Sequence, residues 1–546
     1  MYCNNLKQVA CILGMLALAV FDANLLQAQV KLSEQKWTLP TYEVIPADKN
    51  PMFFKGESYQ GASKVIYPYA MNDAISNERT TRDWKALILE NEYIKLCVAP
   101  EIGGKLYYAT DKTTNYNFVY KNDVVKPSNI GMTGAWVSGG IEWCVIHHHR
   151  ASTFQNMDYD LKVNPDSSKT IWIGETEPRQ RMRWTIGITM FPGKSYYQTE
   201  VKILNPTPYT NTFLYWANVA AHTNENYQVI FPPSVDKVTY HAKNSFAHWP
   251  VAHEVYNGED FTKGVDISYW KNSVNQNSYF AYDLKEDFMG GYDHGKQTGT
   301  VHIGDHNIVK GAKLWEWGSG PVGQATEGKL TEGSGPYVEI MVGAFSDNQP
   351  DYSWIRPYEV KTFKQYWYPV KDIDGFKNAN LNGAVNLEKI EGGKVFLGYY
   401  STSMVKNAKV VLKKNGQVIF EKQATVSPEK AFTATVNIAG DFKETDLSTE
   451  MINTQTGETL ISYQPKERKE DTPLPEIVKR PALPKEMATT EELYLTGSRI
   501  LQFGNPTLNA MDYFDEALKR DPSDIRTNTA VGNVYLKNGD YATARK

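Results

Sequence analysis

Apolar and polar side chains alternate with a period of two along residues 37–370, and this pattern constrains the fold more than any other feature. Ile94, Leu96 and Val98 alternate with polar or small neighbours, and residues 184–190 repeat the pattern. This period is typical of β-strands with one buried face. Clusters of Pro, Gly and Asn separate the segments, and no long helical period interrupts them. The sequence therefore predicts a large antiparallel β-sandwich with functional loops on one face.

A second and smaller β unit is predicted for residues 385–465. Its short apolar segments are typical of strands, and Lys414-Asn415-Gly416-Gln417 is a strong hairpin signal. The size fits an immunoglobulin-like sandwich. The unit contains no histidine and no cluster of reactive groups. We therefore favour a structural or spacer role, with an accessory binding surface as the alternative.

The C-terminal part changes to a helical period. Residues 466–491 form a charged, proline-bearing linker. Residues 510–522 resemble the closing helix of a tetratricopeptide repeat, and residues 528–546 resemble the opening of the next. Such repeats need neighbours to bury their faces, so we expect a truncated tetratricopeptide tail over 492–546 whose array continues. A tail of this kind is a place for a protein partner.

The N-terminal segment is predicted to be a secretory signal peptide of residues 1–28. Lys7 precedes an apolar run, and the small Ala28 offers a cleavage site. We therefore expect export to the periplasm or the medium. No other segment approaches the ~18 apolar residues of a membrane span. Outside the signal only Cys97 and Cys144 remain, and their spacing leaves open a disulfide or two free buried thiols.

The net charge and its distribution argue against binding of nucleic acid. The formal net charge is −4 at pH 7 and no long block of like charge occurs. The chain therefore has no electrostatic footprint for nucleic acid.

Residues 134–150, which read GAWVSGGIEWCVIHHHR, are the densest candidate site. The adjacent Gly139 and Gly140 permit a sharp turn that presents Glu142 to a cavity. In an extended segment His147 and His149 point to one side, and His148 points to the other. We expect the pair to contact a sugar. No second ligand group sits at a recognised spacing, so no metal or other cofactor is predicted, although an ion at the histidine loops stays open.

Three motifs resemble a known family of folds. Residues 93–106 look like the opening strand and turn of galactose-mutarotase-like supersandwich proteins, and residues 139–150 look like two of their loops. Residues 335–341 are similar to the closing strand that carries the mutarotase base. The whole order, tail included, resembles the bacterial family called domain of unknown function 5107. The resemblance implies a mainly β fold with a supersandwich, an immunoglobulin-like sandwich and a tetratricopeptide tail.

The mutarotase resemblance also implies site residues. It matches Glu339 to the base that removes the proton of the anomeric hydroxyl, and His222 to the acid that protonates the ring oxygen. Hydrolysis of a glycosidic bond needs two carboxyl groups at the anomeric carbon, for which we expect Glu142 and Glu339, with Asp347 in reserve. The remaining candidates for substrate contact are Trp136, Trp143, His147, His149, Arg150, His294, Asp347 and Arg356. Trp249, Trp315 and Trp317 are further candidate sugar platforms.

Three functions remain open at this point. The favoured hypothesis is a glycoside hydrolase acting on an oligosaccharide or polysaccharide. The alternatives are an aldose or sugar epimerase and a non-catalytic carbohydrate-binding protein. The sequence names neither the sugar nor the linkage.

Overall fold

The structure is a computed structural model that describes residues 29–47, 66, 68–468, 472–502 and 508–546. The predicted signal peptide lies outside the described residues. Two β units are followed by a helical tail, and the strands are antiparallel throughout the two main sheets of the larger unit. The predicted fold class is therefore confirmed.

The larger sheet of the first unit has thirteen strands. These are β1 (Lys31–Val44), β2 (Ile75–Glu90), β3 (Ile94–Ala99), β4 (Lys105–Asp111), β5 (Tyr116–Val119), β8 (Ile141–Ile146), β13 (Asn211–His222), β15 (Lys237–Thr239), β16 (Phe246–His248), β21 (Asn277–Ala281), β24 (Gly311–Glu316), β25 (Tyr337–Ala344) and β26 (Ser353–Ile355). The spatial order is β1-β2-β3-β4-β8-β13-β25-β24-β21-β15-β16, with β5 beside β4 and β26 beside β13. Strands β8, β13, β25 and β24 therefore form its centre.

The second sheet has eight strands and packs against the first. These are β9 (Asp158–Val163), β10 (Lys169–Glu177), β11 (Met182–Met190), β12 (Tyr197–Leu204), β14 (Tyr227–Ile230), β22 (Phe288–Asp293), β23 (Thr298–Ile303) and β27 (Val360–Lys371). The described residues of this unit also form three short strand pairs, namely β6 (Ser128–Gly131) with β7 (Gly134–Trp136), β17 (Val251–Ala252) with β20 (Val265–Asp266), and β18 (Val255–Tyr256) with β19 (Glu259–Asp260).

Alternation along the central strands divides the larger sheet into two faces. In β25 the side chains of Val338, Ile340 and Val342 enter the core between the sheets. Successive residues of a strand point to opposite faces, so Glu339 and Met341 lie on the outer face. Residues of the central strands that do not enter the core therefore lie on the outer face, where they can form a site.

One α-helix interrupts the β pattern in the described part of this unit, contrary to the prediction. Helix α1 (Pro321–Thr331) begins with a proline at its first turn and ends at Glu332, whose φ is 46°. Proline fits the first turn because its missing N–H has no partner there. Gly323 and Gly328 weaken the helical signal in the sequence, which is why the period did not reveal the helix.

Residues 378–463 form a smaller sandwich of two four-stranded sheets. One sheet contains β28 (Asn378–Asn380), β29 (Gly383–Ile390), β30 (Lys394–Ser401) and β33 (Phe432–Asn437), and the other contains β31 (Val405–Lys414), β32 (Gln417–Val426), β34 (Leu447–Asn453) and β35 (Thr459–Tyr463). Asn415 and Gly416 link β31 to β32 with φ of 49° and 80°. The predicted hairpin is confirmed, because this two-residue turn needs positive φ at both positions.

The tail contains four helices in the described ranges. These are α2 (Thr490–Gln502), α3 (Ala510–Arg520), α4 (Ile525–Lys537) and α5 (Tyr541–Arg545). Phe514 of α3 packs against Leu493 and Gly497 of α2, so the two helices form a hairpin. Among the described helices none is both long and apolar enough to cross a membrane.

Candidate functional site

A cavity of about 390 Å³ opens on the outer face of the larger sheet, above its central strands. This volume lies within the range of small-ligand sites. The polar side chains of its wall are His148, His149, His241, Gln276, Lys313, Glu339 and Gln349, and its aromatic side chains are Trp136, Trp315, Trp317 and Tyr352. The cavity therefore combines ionisable groups with several flat apolar surfaces.

Strand register brings the polar groups together from distant parts of the chain. Glu339 lies opposite Ala220 of β13 on one side and opposite Trp315 of β24 on the other. Lys313 lies two residues before Trp315 and so faces the same way. The pairing of β24 with β25 therefore places an amine, a carboxyl and an indole on one surface.

Glu339 is buried and faces the cavity, and within the described residues its carboxyl group has no hydrogen-bond partner. Its side chain lines the cavity and the residue is only 7% exposed. In the described part of the chain no hydrogen bond or ion pair reaches its carboxyl group. Burial raises the pKa of Glu339, and the Glu142 charge adds to this effect, whereas the charges of His149, Lys313 and Lys105 oppose it. Glu339 is therefore suited to exchange a proton with a ligand near neutral pH.

Lys313 belongs to a hydrogen-bonded chain across the cavity wall. Its Nζ donates to Oε1 of Gln349 at 2.8 Å and lies 3.2 Å from Nε2 of His241. The amide Nε2 of Gln349 lies 3.1 Å from Nδ1 of His148. Burial lowers the pKa of Lys313 and of both histidines. An ammonium carries three donors, so the third N–H of Lys313 remains for a ligand.

Glu142 lies beside the cavity and is fully engaged. Its carboxylate accepts from Trp136 Nε1 at 2.9 Å, Thr153 Oγ1 at 2.8 Å and Asn218 Nδ2 at 3.4 Å, and lies 2.9 Å from His149 Nδ1. Burial opposes ionisation, but the charge and hydrogen bond of His149 outweigh it and hold the pKa of Glu142 well below its usual range. Glu142 therefore stays ionised and orients Trp136 and His149.

The Gly139-Gly140 turn makes this arrangement possible, as predicted. Both residues have positive φ, 83° and 61°. A Cβ on Gly140 would lie 2.4 Å from the carbonyl oxygen of Leu106. Only glycine permits so close an approach, which starts β8 and carries Glu142 to its partners.

The predicted direction of the histidines is wrong. The segment is not extended, because Ile146 and His149 have φ of 70° and 41°. His148 and His149 therefore both face the cavity, with ring centroids 4.1 Å apart. His147 turns away, and its two ring nitrogens contact Tyr352 at 3.1 Å and Gln180 at 3.0 Å.

Trp143 and Arg150 are structural, so the prediction that they contact substrate is also wrong. Trp143 is fully buried between the sheets and donates from Nε1 to the carbonyl of Gly104. Arg150 is 3% exposed and donates to the carbonyls of Trp143 and Gly103 and to Ser152. These bonds fix the loop that follows β8.

Three other predicted contacts lie away from the cavity. Asp347 pairs with Lys243 at 2.9 Å, and Arg356 is exposed on a loop. His294 bonds to Asp374 at 2.8 Å and lines a separate cavity of about 470 Å³. The structure does not bring these side chains to Glu339.

His222 is on the correct face of the sheet but outside the cavity wall. It ends β13 opposite Tyr337, and its ring packs on Tyr120 with centroids 4.1 Å apart. Burial lowers its pKa to about 4. Tyr120 and Tyr337 thus occupy the space beside His222, on the side toward Glu339.

Of the predicted residues, Glu339, Trp136 and His149 line the cavity, and Glu142 supports it. The platforms Trp315 and Trp317 also line it, with centroids 4.5 Å apart, whereas Trp249 packs in the core. Lys313 and His241 were missed. A lysine between two apolar residues of a strand is a weak signal for such a group. Cys97 and Cys144 are free and buried, which answers the open question on pairing.

Solved structures resemble the chain. The TPR-domain containing protein from Parabacteroides distasonis has a TM-score of 0.55 at 21% identity, covering 67% of this chain and 58% of that one. The chain thus spans little more than half of that protein. A putative aldose 1-epimerase from Klebsiella pneumoniae has a TM-score of 0.41 at 10% identity, covering 63% of this chain and 92% of that one. At these identities the likeness concerns the fold alone.

Two family models match the chain. The model described as YphG-like protein, second domain, matches residues 378–463, which are the smaller sandwich. The model described as domain of unknown function (DUF5107) matches residues 62–370. That range contains the whole cavity wall and more than half of the sequence. The family suspected from the motifs is therefore confirmed, and the chain belongs to the DUF5107 family.

Proposed function

We propose that the chain is a carbohydrate-active enzyme that transfers protons at the anomeric centre of a sugar, in a reaction of the aldose epimerase type. One observation carries this proposal. Glu339 is a buried carboxyl group without a hydrogen-bond partner in the described part of the chain, and it faces a cavity walled by Trp136, Trp315 and Trp317. Indole rings offer the flat apolar surface on which sugar rings stack, and Glu339 offers the base.

The roles of the residues follow from their positions. Ionised Glu339 takes the proton of the anomeric hydroxyl, and the C1–O1 bond becomes a carbonyl. The bond from C1 to the ring oxygen breaks, and the ring oxygen receives a proton from the Lys313 ammonium. Rotation about the C1–C2 bond and the reverse proton transfers give the other anomer. Lys313 thus takes the role that the resemblance assigned to His222.

Two-carboxylate hydrolysis fits the geometry less well. Such a reaction needs a second carboxyl group that faces the anomeric carbon. Glu142 already accepts hydrogen bonds from four side chains and does not line the cavity. Asp347 is paired with Lys243 elsewhere. The favoured hydrolase prediction therefore lacks its second group at this cavity.

Two assays on the full chain test the proposal. Anomer exchange of a panel of aldoses is followed by NMR, and release of new reducing ends is followed on a panel of glycans. We expect accelerated exchange without new reducing ends, and a loss of about 100-fold or more in Glu339→Gln. His222→Ala is the matched control and should keep the activity.

The other outcomes each select a different function. New reducing ends that depend on Glu339 would replace the epimerase with a hydrolase. Glycan binding without any turnover would leave a carbohydrate-binding protein. Unchanged exchange in Glu339→Gln would refute the assigned base.

Two expectations from the sequence extend this proposal. We propose that residues 1–28 direct export, and that the helical tail recruits a protein partner. Detection of a mature N-terminus at Gln29 in the exported protein would test the first expectation.

A further inference from the structure

Three metal-ligating side chains meet at one side of the cavity. A ligand atom of each of Cys144, His148 and His149 lies within 4.8 Å of the ligand atoms of the other two. His148 and His149 form part of the cavity wall, and Cys144 lies beneath them in the sheet. Ligand atoms that share one ion lie a little closer to one another than this, so small side-chain movements would bring the three ligand atoms to bonding distance of one ion.

We propose that Cys144, His148 and His149 bind one Zn²⁺ ion, whose fourth coordination position faces the cavity. A thiolate with two imidazoles is a donor set that suits zinc and not Mg²⁺ or Ca²⁺, which prefer oxygen ligands. Three protein ligands with one open position is the arrangement of catalytic rather than structural zinc sites.

The groups around the ligands support this assignment. The Glu142 carboxylate lies 2.9 Å from Nδ1 of His149, which leaves Nε2 of that ring for the metal. A carboxylate that accepts from the outer nitrogen of a histidine is a common partner of zinc ligands. The backbone N–H of His149 also donates to the sulfur of Cys144, which holds the sulfur beside the His149 ring.

His148 has a comparable outer partner. Its Nδ1 contacts the side-chain amide of Gln349 at 3.1 Å. Ligation through Nε2 requires a proton on Nδ1, so the amide must present its oxygen there. A rotation of the Gln349 amide by 180° presents its oxygen to His148. This rotation gives up the hydrogen bond that Oε1 accepts from Lys313 Nζ, so Lys313 then keeps only its contact with His241. Gln349→Glu would supply an acceptor in either orientation and is expected to strengthen zinc binding.

His147 and the exposed group Asp287, Asp305 and His306 do not compete for this assignment. Both ring nitrogens of His147 already contact protein side chains. The exposed group has ligand atoms at similar separations, but acidic groups at the surface often lie close without an ion. It provides the control for unspecific zinc binding.

The site extends the proposed function but does not depend on it. Zinc binding is measured without any sugar, and the proton transfer by Glu339 is measured with the metal present or removed by a chelator. Failure of one assay therefore does not affect the other.

Zinc content of the full chain tests the inference. Purified protein is loaded with Zn²⁺, and unbound Zn²⁺ is removed by gel filtration. The zinc content is then measured by inductively coupled plasma mass spectrometry. We expect one Zn²⁺ per chain. Cys144→Ser and His149→Ala should each lower the affinity at least about 100-fold, because even outer partners contribute about 10–100-fold. His306→Ala and His222→Ala should retain the ion.

Cobalt provides a test on the unmodified chain, which remains valid if a variant fails to fold. Co²⁺ at this site should show a thiolate-to-metal charge-transfer absorption that Zn²⁺ abolishes. Absence of this absorption in the folded protein would overturn the inference. So would zinc binding that survives Cys144→Ser or is lost in His306→Ala.

Discussion

The substitution Glu339→Gln should stabilise the protein, although it removes the proposed catalytic group. Glutamine has nearly the same shape but no charge. No hydrogen bond is lost, because the Glu339 carboxyl has no partner in the described part of the chain. The substitution removes the unfavourable burial of an ionised carboxylate, and with it the charge attraction to His149, Lys313 and Lys105 that offsets part of this cost.

The size and pH dependence of this effect follow from the raised pKa of Glu339. Burial raises that pKa from 4.5 to about 7. The folded chain thus binds the proton more tightly than the unfolded chain, so the free energy of unfolding falls as pH rises through this interval. The difference between the pKa values of Glu339 in the folded and the unfolded chain corresponds to at most about 3 kcal/mol in the free energy of unfolding. Glu339→Gln should therefore match the wild type near pH 4 and exceed it by up to about 3 kcal/mol at pH 8.

Tryptophan fluorescence measures the unfolding of the larger β unit, which contains Glu339. All 13 tryptophans lie between Trp37 and Trp367, so the smaller sandwich and the tail do not contribute to the signal. Urea titrations at pH 5 and pH 8 give the free energy of unfolding for each variant. Glu225→Gln, at an exposed position, is the matched control and should change little. A Glu339→Gln variant that is less stable than the wild type at pH 8 would show that the ionised Glu339 carboxylate does not destabilise the fold.

Glu142→Ala should lower the free energy of unfolding by about 3–5 kcal/mol, because it leaves buried donors and His149 uncompensated, and the fluorescence titration checks this. Gly343→Ala should lower it by about 1–3 kcal/mol, since the new Cβ would lie 2.4 Å from the Trp216 ring; an unchanged urea midpoint would contradict this. Trp315→Ala should weaken sugar binding by about 1 kcal/mol in calorimetry, whereas the exposed Trp354→Ala should not. Because Glu339 must be ionised, kcat/KM should rise with pH through a pKa well above the ordinary value of about 4.3, and a profile already flat at pH 5 would exclude Glu339 as the base.

The alternating pattern predicted the fold because each strand with one buried face shows it locally. Residues 184–190 indicated a strand that the structure contains as β11, and the Asn415-Gly416 turn indicated its hairpin. Helix α1 was missed because Gly323 and Gly328 interrupt its period. The sequence thus predicts elements where the local signal and the tertiary environment agree.

The site was predictable only in part, because it depends on side-chain direction and on strand pairing. Glu142 and Trp143 are neighbours, yet alternation along β8 sends Trp143 into the core and Glu142 toward the cavity. The turn at Ile146 decided which histidines face the cavity. Lys313 reached the wall only through the pairing of β24 with β25, which a single sequence does not reveal.

A crystal structure of the full chain soaked with mixed monosaccharides would show directly whether Glu339 faces the anomeric centre of a bound sugar. We expect a sugar in the cavity on the outer face, stacked on an indole ring, with its anomeric hydroxyl about 2.6–3.2 Å from the Glu339 carboxyl group. A sugar bound only in the separate cavity beside His294, or bound in this cavity with its anomeric carbon turned away from Glu339, would contradict it.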